Sequence, residues 1–211
     1  MSTPAQEREL RARNFRTLGI LAGLFFLPLL LSFYMYYGTD WRPAKRVNHG
    51  TLISPARPLP EIHLPQVSLA DSDTTPAAAD PTSAHQLRKE WSIVYIGAGN
   101  CDEPCRQALY VMRQTRLSLA NDMSRVDRVF LTTGNCCARD FLLHEHPGLV
   151  VLDATGADGT RLLQEFPAEG RPYSLFIVDP LGNLMMSYDS RQNPKGLLED
   201  LKKLLRLSHI G

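Results

Sequence analysis

The chain has 211 residues, 21% of them charged, and a formal net charge of +1 at pH 7. This length suits one ordinary domain with an additional segment. Proteins that bind nucleic acid carry a strongly basic surface, which a net charge so close to zero does not provide. We therefore expect no nucleic-acid partner.

An uncharged apolar segment from Leu18 to Tyr37 predicts a single transmembrane helix. About twenty helical residues, at roughly 1.5 Å each, cross a hydrocarbon core of about 30 Å. Aromatic side chains gather at its C-terminal end, as they do at a membrane–water interface. A cleaved signal peptide is the alternative, but its apolar region would be shorter and no small-residue cleavage site follows. We predict an N-terminal tail at 1–17 and a helix in contact with membrane lipid at 18–37.

The charges that flank this segment indicate its orientation. Four arginines precede it and three basic residues follow it, so the positive-inside count favours a cytoplasmic N-terminus by a narrow margin. Paired cysteines in the larger C-terminal part are typical of an extracytoplasmic compartment. We predict a single-pass protein of the bacterial inner membrane with its C-terminal domain in the periplasm.

A proline-rich stretch separates the anchor from the rest of the chain. Residues 38–86 contain seven prolines after Trp41 and the run ADSDTTPAAADPTSA, which lacks periodic apolar residues. This composition predicts a linker and loop. Only EIHLPQVSL alternates enough to add an edge strand, where proline is tolerated.

Residues 87–211 predict an α/β domain, because apolar runs alternate with helical patterns. A βαβ connection would make the first two strands parallel neighbours. The predicted elements are the strand WSIVYIG, the helix CDEPCRQALYVMRQTRLSLA, the strands RVFLTT, LVVLD, YSLFIVD and NLMMSY, and the amphipathic helix PKGLLEDLKKLLRL.

Cys101 and Cys105 lie where the first strand of this domain gives way to the helix. Their i, i+4 spacing places both sulfurs on one face, close enough for a disulfide or for two thiolates to bind one soft metal ion. The helix N-terminus favours a thiolate, whereas Asp102 and Glu103 oppose it. We predict that Cys101 is the more exposed, attacking thiol and Cys105 the resolving thiol. The alternative is an inert structural disulfide.

Cys136 and Cys137 follow the second strand directly. If the two strands are parallel, their carboxyl ends bring this pair to the same edge of the sheet as Cys101 and Cys105. Four thiols at one edge could pass on a disulfide or hold copper. Adjacent cysteines can also be incidental, or one can be buried as a small apolar residue. His144 and His146 are further candidate ligands, although isolated histidines are usually solvated.

The strand, the Cys-x-x-x-Cys motif, the helix and the later segment RPYSLFIVDPLGN resemble the thioredoxin-like Sco/SenC family, which assists cytochrome c oxidase assembly. The resemblance extends from about Leu52 to Leu207 and includes the N-terminal anchor. It implies a thioredoxin-like fold, an oxidase subunit or other assembly factor as partner, and copper handling or thiol reduction at the oxidase copper centre.

The sequence departs from this family at one copper ligand. The family places a histidine a few residues before the Asp-Pro-x-Gly segment, and this chain has Gly170, Arg171, Pro172 and Tyr173 there. Pro172 instead resembles the cis-proline beside thioredoxin-type sites, which would leave backbone open to a partner peptide.

Three functions follow from these features. The leading hypothesis is a thiol–disulfide oxidoreductase that uses Cys101, Cys105 and Pro172 in oxidase biogenesis. The first alternative is a Cu(I) metallochaperone that binds copper through Cys101 and Cys105, helped by Cys136 or Cys137. The second alternative is a noncatalytic membrane accessory subunit whose cysteines are structural.

Overall fold

The protein is described by a computed structural model that covers residues 4–39, 48–69, 80–85, 87–134, 136–208 and 210. The chain divides into two compact units, Met1–Arg46 and Val47–Gly211. The predicted anchor falls in the first unit and all four cysteines fall in the second.

The first unit contains one long helix, α1, at Pro4–Gly38. Its portion Arg13–Gly38 is 26 residues long and is apolar enough to cross a membrane by length and composition. Its large apolar side chains are exposed, as expected of a lipid-facing surface. The predicted span 18–37 lies inside this portion.

The second unit is built on one mixed eight-stranded sheet. Its strand order is β1-β8-β7-β4-β5-β6-β2-β3. The strands are β1 Thr51–Pro58, β2 Leu64–Gln66, β3 Asp80–His85, β4 Trp91–Gly97, β5 Val126–Thr132, β6 Val150–Asp153, β7 Ser174–Val178 and β8 Asn183–Asp189.

Helices cover both faces of this sheet. Apolar residues of β4 alternate between the faces: Ile93 and Tyr95 join one buried cluster, whereas Val94 and Ile96 join the other. The first cluster also takes residues from α2, α3 and α5, and the second takes Leu162 from α4. The domain helices are α2 Glu103–Leu117, α3 Arg139–Glu145, α4 Ala157–Leu163 and α5 Pro194–Leu207.

Three strands at the centre of the sheet are parallel. β4 pairs with β5 from Trp91↔Val126 to Gly97↔Thr132, and β5 pairs with β6 in the same sense. The prediction that the first two strands of the domain are parallel neighbours is therefore confirmed. The segments after β4 and β5, which carry the two cysteine pairs, leave the sheet at the same edge.

Three strands lie in the segment predicted to be linker and loop. β1 pairs with β8 at one edge of the sheet, and β3 forms the opposite edge. The strand expected from EIHLPQVSL is present as β2, but it pairs with both β6 and β3 and is therefore not an edge strand. The prolines of β1 are tolerated because an edge strand needs only half of its backbone groups for pairing.

Candidate functional site

The Cys101–Cys105 pair lies at the junction of β4 and α2 and forms a disulfide with a Cα–Cα distance of 5.0 Å. Asp102 is the N-cap of α2, and its side chain accepts a hydrogen bond of 3.3 Å from the Cys105 amide. Pro104 stands in the first turn, where its missing N–H is no loss. The predicted strand-to-helix setting of the motif is therefore confirmed.

Both cysteines of this pair are buried to the same extent. Cys101 and Cys105 are each 1% exposed and belong to the apolar cluster between the sheet, α2 and α5. The prediction that Cys101 is the more exposed of the two is wrong. The backbone of Cys101 has a φ of +46° and its amide donates back to the Ala98 carbonyl, so the loop folds inward before the helix begins.

Residues at the start of α3 lie over the N-terminus of α2. The Ala138 amide donates to the Gly99 carbonyl at 2.9 Å, which joins the two loops. The Arg106 guanidinium lies 4.5 Å from the centre of the Phe141 ring, and its Nε donates to the Cys101 carbonyl at 3.3 Å. Arg106 thus connects the cysteine loop to α3 by a cation–π contact and a hydrogen bond.

Cys136 and Cys137 lie in the loop between β5 and α3, at the same edge of the sheet as the first pair. Their sulfurs are in contact. Cys136 is exposed, whereas Cys137 is half-buried and packs against the cluster that contains Cys101 and Cys105. The prediction that both pairs share one edge is confirmed.

Pro172 lies beside the site, but not in the predicted form. It belongs to a 3-10 turn at Arg171–Tyr173 that packs against α2 and β4. The cis peptide bonds in the described part of the chain precede Pro55 and Cys137, so the expectation of a cis-proline at Pro172 is wrong. Its carbonyl accepts a hydrogen bond of 3.1 Å from the Tyr95 hydroxyl and is thus held by the domain itself.

Tyr95 is a site residue that the sequence did not reveal. It lies on β4 two residues before the strand ends, is 1% exposed, and packs in the same cluster as both buried cysteines. Burial, and next the negative charge of Asp102, raises the pKa of its hydroxyl far above its usual value. Tyr95 therefore stays neutral and fixes the turn that carries Pro172.

The two candidate histidines differ in their surroundings. His144 is exposed, whereas His146 is only 4% exposed and contacts the Phe141 ring edge to face. His146 is thus not the solvated histidine that was expected. Among the residues that the structure describes, no three His, Cys, Asp or Glu side chains are grouped so that they could hold a metal ion.

We expect stability to fall in acid because His146 is buried as a neutral ring. Burial, with the positive charges of Arg128 and Arg113, lowers its pKa from 6.5 to about 4, and Glu145 opposes this. Between these pH values the unfolded chain binds the extra proton, so the free energy of unfolding decreases as pH falls, by up to about 3 kcal/mol. Urea unfolding at pH 7 and pH 4.5 should show a larger loss for the natural chain than for His146→Phe. Equal losses of stability in the two chains would contradict the assignment of this pH dependence to His146.

The charge of Asp102 should restrain the reactivity of the reduced pair. Asp102→Asn keeps an oxygen for the cap but removes the negative charge beside Cys101. We expect Cys101 of the reduced chain to be alkylated at least about twofold faster at pH 7, with little change in stability. Asp102→Ala should instead cost about 1 kcal/mol through loss of the cap. Peptide mapping after iodoacetamide treatment measures the rate, and an unchanged rate in Asp102→Asn would contradict the effect.

Comparison with known protein families identifies the family of this domain. Residues 91–208 match the family described as Transmembrane-like, thioredoxin-like, C-terminal domain, which is more than half of the 211 residues. The chain belongs to this family. The thioredoxin-like fold predicted for residues 87–211 is thereby confirmed, and so is its combination with an apolar N-terminal helix. No curated protein sequence matches the chain.

Solved structures of Sco proteins share the fold of this thioredoxin-like family member. Apo Sco1 from Thermus thermophilus is 15% identical with a TM-score of 0.53, covering 77% of this chain and 99% of that chain. Yeast Sco1 with copper bound is 15% identical with a TM-score of 0.56, covering 72% and 94%. A SCO1/SenC family lipoprotein from Bacillus anthracis is 12% identical with a TM-score of 0.50, covering 72% and 98%. The resemblance to the Sco/SenC family is thus confirmed at the level of the fold.

Proposed function

We propose that this chain is a membrane-anchored thiol–disulfide exchange protein that acts outside the cytoplasm in the biogenesis of the cytochrome c oxidase copper centre. The observation that carries the proposal is the Cys101–Cys105 disulfide at the end of β4 in a thioredoxin-like domain. Ligands and chemistry gather outside the carboxyl ends of parallel strands in sheets of this kind.

The two cysteines have different roles in the proposed reaction. In the reduced chain the Cys101 thiolate, next to the N-terminus of α2, attacks one sulfur of an acceptor disulfide and releases the other as a thiolate. Cys105 then attacks the mixed disulfide, which leaves the Cys101–Cys105 disulfide and an acceptor dithiol. Two electrons pass to the acceptor. Pro172 borders this site and, held by Tyr95, positions the turn beside α2.

The link to cytochrome c oxidase is supported by the segment RPYSLFIVDPLGN and by the fold shared with Sco proteins. The expected partner is an oxidase subunit or another assembly factor. The test is deletion of the gene followed by measurement of copper in the purified oxidase. Copper at the oxidase centre should fall and should be restored by the natural chain. An oxidase with full copper in the deletion strain would overturn the proposal.

Copper carriage is the second candidate, because four cysteines share one edge of the sheet. In the reduced state Cys101 and Cys105 offer two thiolates, a donor set that suits Cu(I) as cargo. If the natural chain is an exchange protein, it should not bind copper in a stoichiometric amount. One equivalent of bound Cu(I) per chain would instead favour the copper-carrier function. A disulfide that native reductants never open would favour the second alternative, an accessory subunit with structural cysteines.

The proposed orientation places the cysteines in the bacterial periplasm, with residues 1–17 in the cytoplasm. A reporter enzyme that is active only outside the cytoplasm should be active when it is fused after Tyr37. The reason is that α1 is apolar enough to cross the membrane once. The N-terminal sequence of the mature protein should still contain 18–37. A mature protein that begins after Tyr37 would contradict the anchor.

A further inference from the structure

We propose that Cys136 and Cys137 form a second redox pair, through which the buried Cys101–Cys105 pair exchanges electrons with partner proteins. This inference rests on the proposed thiol–disulfide exchange function and adds the route by which partners reach the site. It assigns to the vicinal pair a role in exchange rather than in metal binding.

Access to solvent is the first argument. Thiol–disulfide exchange requires a thiolate to approach a disulfide sulfur directly. Cys101 and Cys105 are each 1% exposed, and the loop before α3 is hydrogen-bonded to Gly99, two residues before Cys101. In this arrangement almost none of either cysteine is open to a sulfur on another protein, so direct exchange with a partner is hindered. Cys136, in contrast, is exposed.

Proximity is the second argument. Cys137 is half-buried against the same apolar cluster that encloses Cys101 and Cys105. The backbone holds the two loops together, because the Ala138 amide, one residue after Cys137, donates to the Gly99 carbonyl at 2.9 Å. The vicinal pair therefore has one member at the surface and the other packed against the cluster that contains the buried pair, as a relay requires.

The transfer balances in atoms and electrons. The Cys101 thiolate of the reduced central pair attacks the Cys137 sulfur of the Cys136–Cys137 disulfide and releases the Cys136 thiolate. Cys105 then attacks Cys101 in the mixed disulfide and releases Cys137 as a thiolate. The products are the Cys101–Cys105 disulfide and a Cys136/Cys137 dithiol. That dithiol passes the two electrons to a partner disulfide, and a partner dithiol recharges the central pair by the reverse route.

The first test follows recharging of the full-length chain in detergent. The oxidised chain is treated with reduced thioredoxin, a protein dithiol, and the thiols are mapped by alkylation and mass spectrometry. In Cys136→Ser/Cys137→Ser, reduction of the Cys101–Cys105 disulfide should slow by at least about tenfold relative to the natural chain. An unchanged rate in this variant overturns the relay and leaves the exchange function standing. A Cys101–Cys105 disulfide that stays intact in both proteins overturns the exchange function itself.

The second test traps the internal intermediate and does not depend on rates. Cys105→Ser/Cys136→Ser leaves only Cys101 and Cys137, and oxidised glutathione should convert these two into an internal disulfide. The matched control, Cys105→Ser/Cys137→Ser, leaves Cys101 with the outward-facing Cys136 and should form much less of the cross-linked peptide. Circular dichroism confirms that both variants are folded. Absence of the Cys101–Cys137 peptide from a folded chain overturns the relay.

Discussion

Replacement of both Cys101 and Cys105 by serine is expected to abolish thiol–disulfide exchange at the central pair while the domain stays folded. The two sulfurs form the central disulfide, and serine can neither attack a disulfide nor resolve a mixed one. Reduction of an oxidised cysteine pair in the proposed oxidase partner should fall to no more than the rate that the Cys136/Cys137 pair supports by itself. The deletion strain that carries this variant should make an oxidase as poor in copper as the strain that carries none.

Stability is the control for this variant. A disulfide that closes a loop of only five residues contributes about 2 kcal/mol by the chain-entropy model, so its loss should lower the free energy of unfolding without unfolding the domain. Urea unfolding of the natural and variant chains measures this difference. Reduction of the partner at the full natural rate by a folded chain without Cys101 and Cys105 would contradict the assignment of the site.

The largest effect on stability is expected from Asp200→Ala. Asp200 is 5% exposed on α5, and its Oδ2 accepts hydrogen bonds from the amides of His49 and Gly50 at 2.7 and 3.1 Å. It also accepts a bond of 2.5 Å from the Tyr188 hydroxyl, and burial together with this bond raises the pKa of Tyr188. Alanine would leave three donors unpaired, so the free energy of unfolding should fall by about 3 to 5 kcal/mol.

Tyr188→Phe is the matched control, because it removes one of these three donors and keeps the ring. It should cost about 1 kcal/mol, because one hydrogen bond is lost while the Asp200 carboxylate keeps its two backbone donors. Urea midpoints of the two variants decide the comparison. If Asp200→Ala costs no more than Tyr188→Phe, the carboxylate does not fasten the segment before β1 to α5 in the way that the contacts indicate.

The central part of the domain could be predicted from sequence because its signals are local and strong. WSIVYIG is a continuous apolar run, and it forms β4 with its first six residues buried. A helical pattern and a second apolar run follow it directly, so the parallel βαβ unit and the common edge of the cysteine pairs could be derived from the order of the elements.

The outer strands β1 and β3 could not be predicted from their own sequences. All but one of the residues in β1 are exposed, so its sequence shows no alternation of apolar and polar residues, and its two prolines are typical of loops. β3 lies in the run of Ala, Asp, Thr and Ser that predicted a linker. β1 pairs with β8, which is distant in sequence. β3 pairs with β2, which is itself only 3 residues long.

Several features of the site depend on tertiary contacts that no local pattern reports. The position of Cys101 at the start of a helix suggested exposure, but the residue is 1% exposed because it belongs to the apolar cluster between the sheet and the helices. The position of Pro172 before a strand suggested a cis bond, but the residue lies in a 3-10 turn. Tyr95 was noted only as part of a buried strand, and its hydrogen bond to Pro172 joins residues 77 positions apart.

A redox titration of the full-length chain tests the central claim most directly. The chain is equilibrated in glutathione buffers of different ratios, from both the oxidised and the reduced side, and the thiols of Cys101 and Cys105 are counted by alkylation and mass spectrometry. The account predicts that both thiols appear together and reversibly while the domain stays folded, with a tenfold change in their ratio for about every 30 mV. A Cys101–Cys105 disulfide that opens only when the domain unfolds would contradict the account.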